Sequence, residues 1–257
     1  MRCDNDVGRL QRLRAASVAG IARRQAILDN LVVKAGDRII DVGCGAGQLL
    51  GHLAKAVGDT GEVFGLDPSA DQLAQAGTDC SEFTNVTLLQ RSADDSGLDD
   101  DICDAATSTQ ALEYISDVDA ALAEITRVLK PGGAFVNISI LWDHFRFHGA
   151  DEEVNNLIHE AFRAHCRHQM LPMELPGKLE RIGYRHIRDI PLAFMITRRD
   201  QNSPARYTEQ VMANFAVSRG VPEDVVANWR AQLAAAEDAG RFGFTSFPVL
   251  TAAYLTD

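Results

Sequence analysis

The sequence predicts an open α/β fold with a mostly parallel sheet and helices on both faces of that sheet. Short apolar runs alternate with stretches of helical periodicity between residues 38 and 140. A glycine-rich loop, "DVGCGAGQLL", contains the end of the first apolar run and the residues that follow it. Strands that alternate with helices are typical of parallel β-α-β units, because each crossover helix carries the chain back to the start of the next strand. Ligands of such sheets bind at the carboxyl ends of the strands.

The individual elements are predicted from apolar spacing and from local start and stop signals. Five strands are predicted at residues 38–42, 62–66, 86–90, 102–107 and 134–140. Helices are predicted at residues 46–57 and 69–76, and a further helix begins at the capping residue Asp117 and ends before Pro131-Gly132-Gly133. An amphipathic helix before Gly36 is predicted from the positions of Leu10, Leu13, Ser17, Ile21, Ile27 and Leu31.

After residue 140 the alternation changes. Residues 141–171 are predicted to form an insertion with one helix, and a helix and a strand follow at 172–190. A second insertion, residues 200–241, contains two helices that begin at Ser203-Pro204 and Val221-Pro222. The segment "GRFGFTSFPVLTAAYL" predicts a last strand interrupted at Pro248. We interpret residues 1–257 as one domain, with a helical segment at 1–35, a core at 36–140 and the two insertions.

Composition limits the partners of the protein. With 25 Lys and Arg against 36 Asp and Glu, the formal net charge is -11 and the pI is near 5.1, so a nucleic-acid partner is disfavoured. No run of apolar residues is long enough to predict a membrane span. The five cysteines are scattered without C-x-x-C spacing, which argues against a disulfide framework and against structural zinc. Because Asp and Arg are mixed with the apolar residues of the N-terminal segment and no long apolar run occurs, we expect a cytoplasmic protein.

The spacing of the glycine loop separates two classes of nucleotide ligand. The dinucleotide fingerprint G-x-G-x-x-G, counted from Gly43 and Gly45, requires glycine at position 48, where this chain has Gln48. Asp67 ends the second predicted strand twenty residues after Gly47. A carboxylate in that place can accept hydrogen bonds from both hydroxyls of a ribose. An adenosine-containing cofactor other than a dinucleotide is therefore favoured.

Four segments in order resemble the class I S-adenosylmethionine-dependent methyltransferases: "DVGCGAGQL", "VFGLDPS", "LLQRSADD" and "DAATSTQALEYISDVDAALAEITRVLKPGGAFVNIS". The resemblance covers residues 25–140, and the C-terminal segment resembles the last strand of members that act on small molecules. It implies a Rossmann-like sheet with an antiparallel last strand and helical insertions after strands five and six. It also implies S-adenosylmethionine as the cofactor and a small-molecule acceptor of the quinone or natural-product type, in secondary metabolism.

The same resemblance assigns cofactor contacts to residues of this chain. Asp67 would bind the ribose and Asp94 the adenine amino group, although the neighbouring Asp95 could serve instead. Asp41 either orients the ammonium group of the cofactor or only caps the turn, and Cys44 is interpreted as a small loop residue rather than a nucleophile. The implied set is Asp41, Gly43, Cys44, Gly45, Gly47, Asp67, Pro68, Ala93, Asp94, Thr109 and Gln110.

Methyl transfer from a sulfonium depends chiefly on holding the acceptor in line, so neither a nucleophilic residue nor a metal is expected. A general base is needed only for an acceptor that loses its proton with difficulty. His148 and His144, which follow strand five among aromatic residues, are the first candidates, and Glu113 after strand four is the third. Each of the three also fits a surface or packing role.

The two insertions are expected to cover the acceptor, which we predict to be apolar or aromatic. Their large apolar residues fit this prediction, although most of them could instead pack the extra helices: Trp142, Phe145, Phe147, Phe162, Phe194, Met195, Met212, Phe215 and Trp229. Two alternatives stay open, a nicotinamide-dependent oxidoreductase, which Gln48 disfavours, and a non-catalytic protein that binds the cofactor. O-, N- and C-methylation are not separated by the sequence, and neither are a monomer and a homodimer.

Overall fold

The computed structural model describes residues 17–200 and 203–256, which form two compact units. The sheet unit comprises residues 24–140, 170–191 and 248–256, and the insertion unit comprises residues 17–23, 141–169, 192–200 and 203–247. The predicted helical positions Leu10 and Leu13 lie outside the described residues. The insertion unit contains nearly all of both predicted insertions, and the interpretation of the chain as one domain stays a prediction.

The described residues contain eight α-helices, which are α1 (Val18–Leu31), α2 (Leu50–Val57), α3 (Ala70–Asp79), α4 (Val118–Val128), α5 (Glu152–Arg163), α6 (Leu171–Arg181), α7 (Pro204–Ser218) and α8 (Glu223–Asp238). The strands are β1 (Arg38–Val42), β2 (Glu62–Leu66), β3 (Val86–Leu89), β4 (Cys103–Thr109), β5 (Leu129–Ile140), β6 (Arg146–His148), β7 (Tyr184–Pro191), β8 (Phe194–Ile196), β9 (Gly243–Ser246) and β10 (Pro248–Leu255).

The sheet unit is built on a seven-stranded sheet in the order β3-β2-β1-β4-β5-β10-β7. The first five strands pair in parallel, and β10 is antiparallel to both β5 and β7. The strand order reverses between β1 and β4, so the carboxyl ends of these two strands flank the crevice in which open α/β sheets bind ligands. The predicted Rossmann-like sheet with an antiparallel last strand is confirmed.

Helices cover both faces of this sheet. Phe64 and Leu66 belong to a core that includes residues of α4 and α6. Gly65 lies between them in β2 and points the opposite way, because successive side chains alternate along a strand. A Cβ added to Gly65 would lie 2.7 Å from Cδ1 of Leu50, the first residue of α2. The prediction of helices on both faces is therefore confirmed.

Local signals set several boundaries as predicted. The side chain of Asp117 accepts a hydrogen bond from Ala120 N at 2.9 Å and caps α4, and Ser203 caps α7. The helix predicted at residues 46–57 instead begins at Leu50, because the preceding turn contains Gly45 and Gly47 with φ of +54° and +77°. The fifth strand also begins earlier than predicted, at Leu129.

The insertion unit contains a three-stranded antiparallel sheet in the order β6-β9-β8. The strands β6 and β8 were not predicted, and the prediction of one interrupted strand over β9 and β10 is wrong. Pro248 begins β10, which pairs in the seven-stranded sheet, whereas β9 pairs in the small sheet. The insertion predicted with one helix at 141–171 also contains a short 3₁₀ helix at Trp142–His144.

A buried ion network holds two helices of the insertion unit. The carboxylate of Glu209 in α7 forms a salt bridge with Arg199 Nη1 at 2.6 Å. It forms a second one with Arg230 Nε, from α8, at 2.9 Å. Arg199 Nε also contacts Glu237 Oε2 at 3.0 Å. Among the described residues, no helix combines the length and the apolar character needed to cross a membrane.

Candidate functional site at the carboxyl ends of the parallel strands

The glycine loop follows β1 and is tied to the end of β2. The backbone N–H groups of Gly43 and Cys44 both donate to Leu66 O, at 2.7 and 3.0 Å. Gly43, Gly45 and Gly47 all have positive φ, at +75°, +54° and +77°. Residues with a Cβ are strained in that region, so the loop conformation itself explains the glycines.

The three glycines differ in what surrounds them. A Cβ on Gly43 would lie 2.2 Å from the Cβ of Ala111, and a Cβ on Gly47 would lie 2.9 Å from that of Ala76. A Cβ on Gly45 would meet nothing nearer than Gln72 Oε1 at 3.7 Å. Packing within the sheet unit therefore excludes side chains at Gly43 and Gly47, and only at Gly45 is the space beside the backbone open to a ligand.

Asp67 lies at the end of β2 and is held by the loop. Its Oδ2 accepts a hydrogen bond from Gly45 N at 3.0 Å, and its Oδ1 accepts one from Ser69 N at 2.9 Å. A carboxylate can accept about four hydrogen bonds, two at each oxygen. One acceptor position therefore stays available on each oxygen of this half-buried side chain, which fits the two adjacent hydroxyls of a ribose.

The segment after β3 distinguishes two neighbouring carboxylates. Asp94 is exposed and accepts a hydrogen bond from the hydroxyl of Ser92, whereas Asp95 Oδ2 contacts Arg91 Nη1 at 3.4 Å. Ala93 beside them is half-buried, and Pro68 after β2 is exposed. A carboxylate engaged by an arginine is a weaker acceptor for an amino group, so Asp94 fits the predicted adenine contact better than Asp95 does.

Asp41 is a buried carboxyl group in β1, just before the loop. Its side chain is only 3% exposed, and within the described part of the chain its Oδ1 makes no hydrogen bond. Burial, and to a smaller extent the Asp67 carboxylate, raise the pKa of Asp41 to about 7. Burial, Asp41 and Asp67 likewise raise the pKa of the Cys44 thiol well above its ordinary value, so this thiol is not the reactive thiolate of a nucleophile.

Further buried polar atoms without a hydrogen-bond partner in the described structure lie at the ends of β4 and β5. They are Thr107 Oγ1, Ser108 Oγ, Thr109 Oγ1 and Asn137 Oδ1. In the sheet, Thr107 is opposite Asp41 and Ser108 is opposite Asn137. Because buried polar groups are nearly always hydrogen-bonded in native proteins, this concentration marks where a polar ligand or water belongs.

Of these residues, Thr109 was predicted from the sequence, whereas Thr107, Ser108 and Asn137 were not. The available signal was the polar run "TSTQ" and a lone Asn within segments otherwise suited to buried strands. A polar residue in the interior of a parallel strand is unusual, because both faces of such a strand are covered.

The chain turns sharply after β4. Gln110 has a φ of +52°, and its N–H donates to Ile138 O at 2.7 Å. A positive φ at a residue other than glycine costs roughly 1 kcal/mol or more and is found where the surroundings enforce it. Here the turn places Ala111 against Gly43, and the 3₁₀ helix Leu112–Tyr114 then carries the fully buried Glu113.

The three candidate bases do not lie in one unit. Glu113 is in the sheet unit, together with all the predicted cofactor residues, whereas His144 and His148 are in the insertion unit. Both histidines are exposed; His148 is opposite Gly243 in the small sheet, and the ring of His144 lies 6.0 Å from that of Phe247. Among the described residues, no cluster of three or more His, Cys, Asp and Glu side chains could hold a metal ion.

The large apolar residues of the insertion unit are mostly buried. Of the nine residues expected to cover the acceptor, Met195 is 69% exposed, and Phe194 and Phe215 are half-buried. Trp142, Phe145, Phe147, Phe162, Met212 and Trp229 lie in the interior. These six residues therefore pack within the interior of the insertion unit.

Comparison with known proteins shows which family the central part of the chain resembles. Residues 40–137 match the family described as "Methyltransferase domain". Demethylmenaquinone methyltransferase of Staphylococcus carnosus is 39% identical over 113 residues, which are 44% of this chain and 47% of that protein. The chain spans between 43% and 48% of the length of the first curated relatives that it matches.

Two solved structures share the fold at low sequence identity. Geranyl diphosphate C-methyltransferase of Streptomyces coelicolor, crystallised with S-adenosylhomocysteine, has a TM-score of 0.56 and 19% identity, covering 92% of this chain and 76% of its own. The [4+2]-cyclase SpnF has a TM-score of 0.57 and 22% identity, covering 91% of this chain and 81% of its own. At these identities the likeness establishes the fold.

Proposed function

Because residues 40–137 match the methyltransferase-domain family and the sheet unit has a Rossmann-like sheet with an antiparallel last strand, we propose that the protein is an S-adenosylmethionine-dependent methyltransferase acting on a small molecule. The observation that carries the proposal is the attachment of Asp67 to the glycine loop through Gly45, with one acceptor position left on each carboxylate oxygen. S-adenosylmethionine would supply the methyl group, which is bonded to a sulfonium sulfur that is a good leaving group.

The residues of the sheet unit fit that cofactor. Asp67 would accept the ribose hydroxyls, Asp94 the adenine amino group, and Gly45 would allow close approach to the loop backbone. Asp41, with its buried Oδ1, would accept a hydrogen bond from the ammonium group of the methionine half, directly or through water. The remaining contacts would come from Cys44, Pro68, Ala93, Thr109 and Gln110, and Gly43 and Gly47 would shape the loop.

The acceptor must be held in line with the methyl group, which is a task of positioning. Thr107, Ser108 and Asn137 offer buried hydroxyl and amide groups for this at the ends of β4 and β5. We propose Glu113 as the base for an acceptor that must lose a proton, because it is a buried carboxyl group that directly follows the β4 turn. The exposed His144 and His148 rank behind it.

We propose an apolar or aromatic acceptor from the quinone or natural-product group, in secondary metabolism, since the matched relative is named for a quinone substrate. A cytoplasmic location is favoured by four buried free cysteines, Cys44, Cys80, Cys103 and Cys166. The net charge of -11 argues against nucleic acid, and the oligomeric state is proposed as monomer or homodimer.

The two alternatives differ from the proposal in what the protein binds and releases. A nicotinamide-dependent oxidoreductase is not favoured, because Gln48 replaces the third glycine of the dinucleotide fingerprint. A protein that binds the cofactor without transferring a methyl group would share the whole loop geometry. Since SpnF, which shares this fold, is a [4+2]-cyclase, the decisive measurement must follow the methyl group itself.

The test incubates the protein and isotopically labelled S-adenosylmethionine with fractionated metabolite extracts and searches by mass spectrometry for a labelled product one methylene group heavier. Calorimetry measures S-adenosylhomocysteine and NAD in parallel. We expect the first to bind and Asp67→Ala to weaken it by about 1 to 3 kcal/mol. Glu113→Gln should abolish turnover of a proton-bearing acceptor while retaining S-adenosylhomocysteine affinity. Binding of NAD alone would refute the proposal, and binding without any labelled product would favour the non-catalytic alternative.

A further inference from the structure

Gln72 lies beside the one position of the glycine loop that is open to a ligand. Its Oε1 is 3.7 Å from the site that a Cβ on Gly45 would occupy, and among the described residues it is the nearest atom there, apart from the chain neighbours of Gly45. The Gln72 side chain is half-buried. A molecule that approaches the backbone of Gly45 from this side therefore meets the Gln72 carboxamide.

The start of α3 fixes the position of Gln72. Ser69 caps this helix, and its Oγ accepts a hydrogen bond from Gln72 N at 3.4 Å. Ser69 N in turn donates to Asp67 Oδ1 at 2.9 Å. The helix therefore begins directly after the carboxylate proposed to bind the ribose, and Gln72 belongs to its first turn.

Four residues form a closed series of contacts at this point of the sheet unit. Gly45 N donates to Asp67 Oδ2 at 3.0 Å, and Asp67 is joined to Ser69. Ser69 is joined to Gln72, whose Oε1 returns to the open side of Gly45. Asp67 and Gln72 are therefore held close to the same part of the loop.

The two side chains offer complementary partners to a ligand. The Asp67 carboxylate only accepts hydrogen bonds, whereas a carboxamide carries two donor hydrogens and also accepts at its oxygen. The carboxamide can therefore contact a ligand and keep a contact within the protein. A half-turn of the terminal amide exchanges Nε2 with Oε1, so the nitrogen can occupy the place beside Gly45.

A ribose hydroxyl matches this pair of side chains. When the hydroxyl donates to Asp67, its oxygen still has lone pairs that can accept a hydrogen bond from Gln72 Nε2. We propose that Gln72 is a further cofactor-binding residue, whose amide nitrogen donates to a ribose hydroxyl held by Asp67. The inference rests on the proposed function, because the ribose belongs to the proposed cofactor.

Gln75 provides an internal comparison on the same helix. Its Nε2 donates to Asp79 Oδ1 at 2.8 Å, which is an exposed contact between residues four apart on α3. The contact supports the helix alone. Gln75 is therefore the matched control for a change at Gln72.

The test is calorimetric titration of the full chain with S-adenosylhomocysteine and with two analogues, which lack the 2′-hydroxyl or the 3′-hydroxyl of the ribose. Gln72→Met keeps the length of the side chain and removes its polar atoms. Gln72→Glu keeps an acceptor and removes the donor. Gln75→Met makes the same replacement as the first variant at the control position. Thermal unfolding checks that each variant is folded, and Gln72→Ala takes the place of Gln72→Met if that variant does not fold.

We expect Gln72→Met to weaken S-adenosylhomocysteine binding about five- to tenfold, which corresponds to the loss of one neutral hydrogen bond. Gln72→Glu should not restore the affinity, because it cannot donate. For the one analogue that lacks the contacted hydroxyl, Gln72→Met should lose less than about twofold, because the bond is already absent. Gln75→Met should bind all three ligands as the parent protein does.

The results separate this inference from the proposed function. Full affinity of Gln72→Met or of Gln72→Glu for S-adenosylhomocysteine would overturn the role of Gln72, and so would an equal loss for all three ligands. Each of these results leaves the proposed function in place as long as the parent protein binds S-adenosylhomocysteine. A parent protein that does not bind it would overturn the proposed function itself, and the role of Gln72 with it.

Discussion

Gly45 and Asp67 are joined by a hydrogen bond of 3.0 Å between the glycine N–H and the carboxylate Oδ2. The two residues come from different strand ends, since one follows β1 and the other follows β2. The bond fixes the carboxylate before any ligand arrives, so less conformational freedom is lost on binding. It also connects the one open position of the loop to the residue proposed to bind the ribose.

The tight contact of Gly43 with Ala111 predicts that this glycine supports folding. Gly43→Ala should destabilise the protein by about 2 to 5 kcal/mol, combining the strain of positive φ with overpacking. Gly58→Ala is the matched control, because Gly58 has a φ of +67° and nothing within 4 Å of an added Cβ. Urea denaturation of both variants measures the difference. Equal destabilisation would mean that the Ala111 contact is relieved at no cost.

The different engagement of Asp94 and Asp95 predicts unequal effects on cofactor affinity. Asp94→Asn should weaken S-adenosylhomocysteine binding by about 1 to 2 kcal/mol, because it replaces the charged acceptor proposed for the adenine amino group. Asp95→Asn, which loses only an exposed pair with Arg91, should change affinity by less than about 0.5 kcal/mol. Calorimetry of the two variants decides the assignment, and the reverse order would transfer the role to Asp95.

The raised pKa of Asp41 predicts that the stability of the cofactor-free protein depends on pH. Its folded pKa, about 7, lies above the ordinary value of 3.8, so its contribution to stability is fully present below about pH 4 and is lost as pH rises through 7. Asp41→Asn should therefore gain stability over the parent protein as pH rises, by about 2 to 4 kcal/mol between pH 4 and pH 8.

Thermal unfolding at pH 4, 6 and 8 checks this prediction. Asp67→Asn serves as a comparison, because the Asp67 charge is the smaller of the two causes and its removal should leave most of the pH dependence. A difference between Asp41→Asn and the parent that does not vary with pH would contradict a raised pKa.

The buried network around Glu209 predicts a strong dependence of the insertion unit on one carboxylate. Glu209→Ala removes the more deeply buried of the two carboxylate partners of Arg199, which is 6% exposed, and should cost about 3 to 5 kcal/mol in the free energy of unfolding. Asp119→Ala, which breaks the pair between the exposed Asp119 and the half-buried Lys178, should cost at most about 1 kcal/mol. Denaturant unfolding compares the two, and a mild effect at Glu209 would show that water replaces its carboxylate.

Local patterns predicted much of the fold. The strand at 38–42, the cap at Asp117 and the helix start at Ser203-Pro204 all depend on neighbouring residues, and each was confirmed. The three-residue strands β6 and β8 were missed because both pair with β9, and β6 meets a partner about a hundred residues away in sequence. No local pattern records such a contact.

Part of the candidate site was also predictable from the sequence, and part was not. The distance in sequence between the glycine loop and Asp67 was enough to predict that they act together, and the bond between Gly45 and Asp67 supports that prediction. The contact of Ala111 with Gly43 was not predictable, because it depends on the positive φ of Gln110. The opposition of Ser108 and Asn137 follows from strand register, which periodicity alone does not reveal.

The place of β10 between β5 and β7 has a consequence for how the sheet is assembled during synthesis. In the seven-stranded sheet, β7 borders β10 alone, although β7 precedes it by more than fifty residues in the chain. Until residues 248–255 leave the ribosome, β5 and β7 both present unpaired backbone groups. A nascent chain therefore carries two unpaired strand edges until β10 is synthesised. Loss of β10 would favour aggregation through these edges.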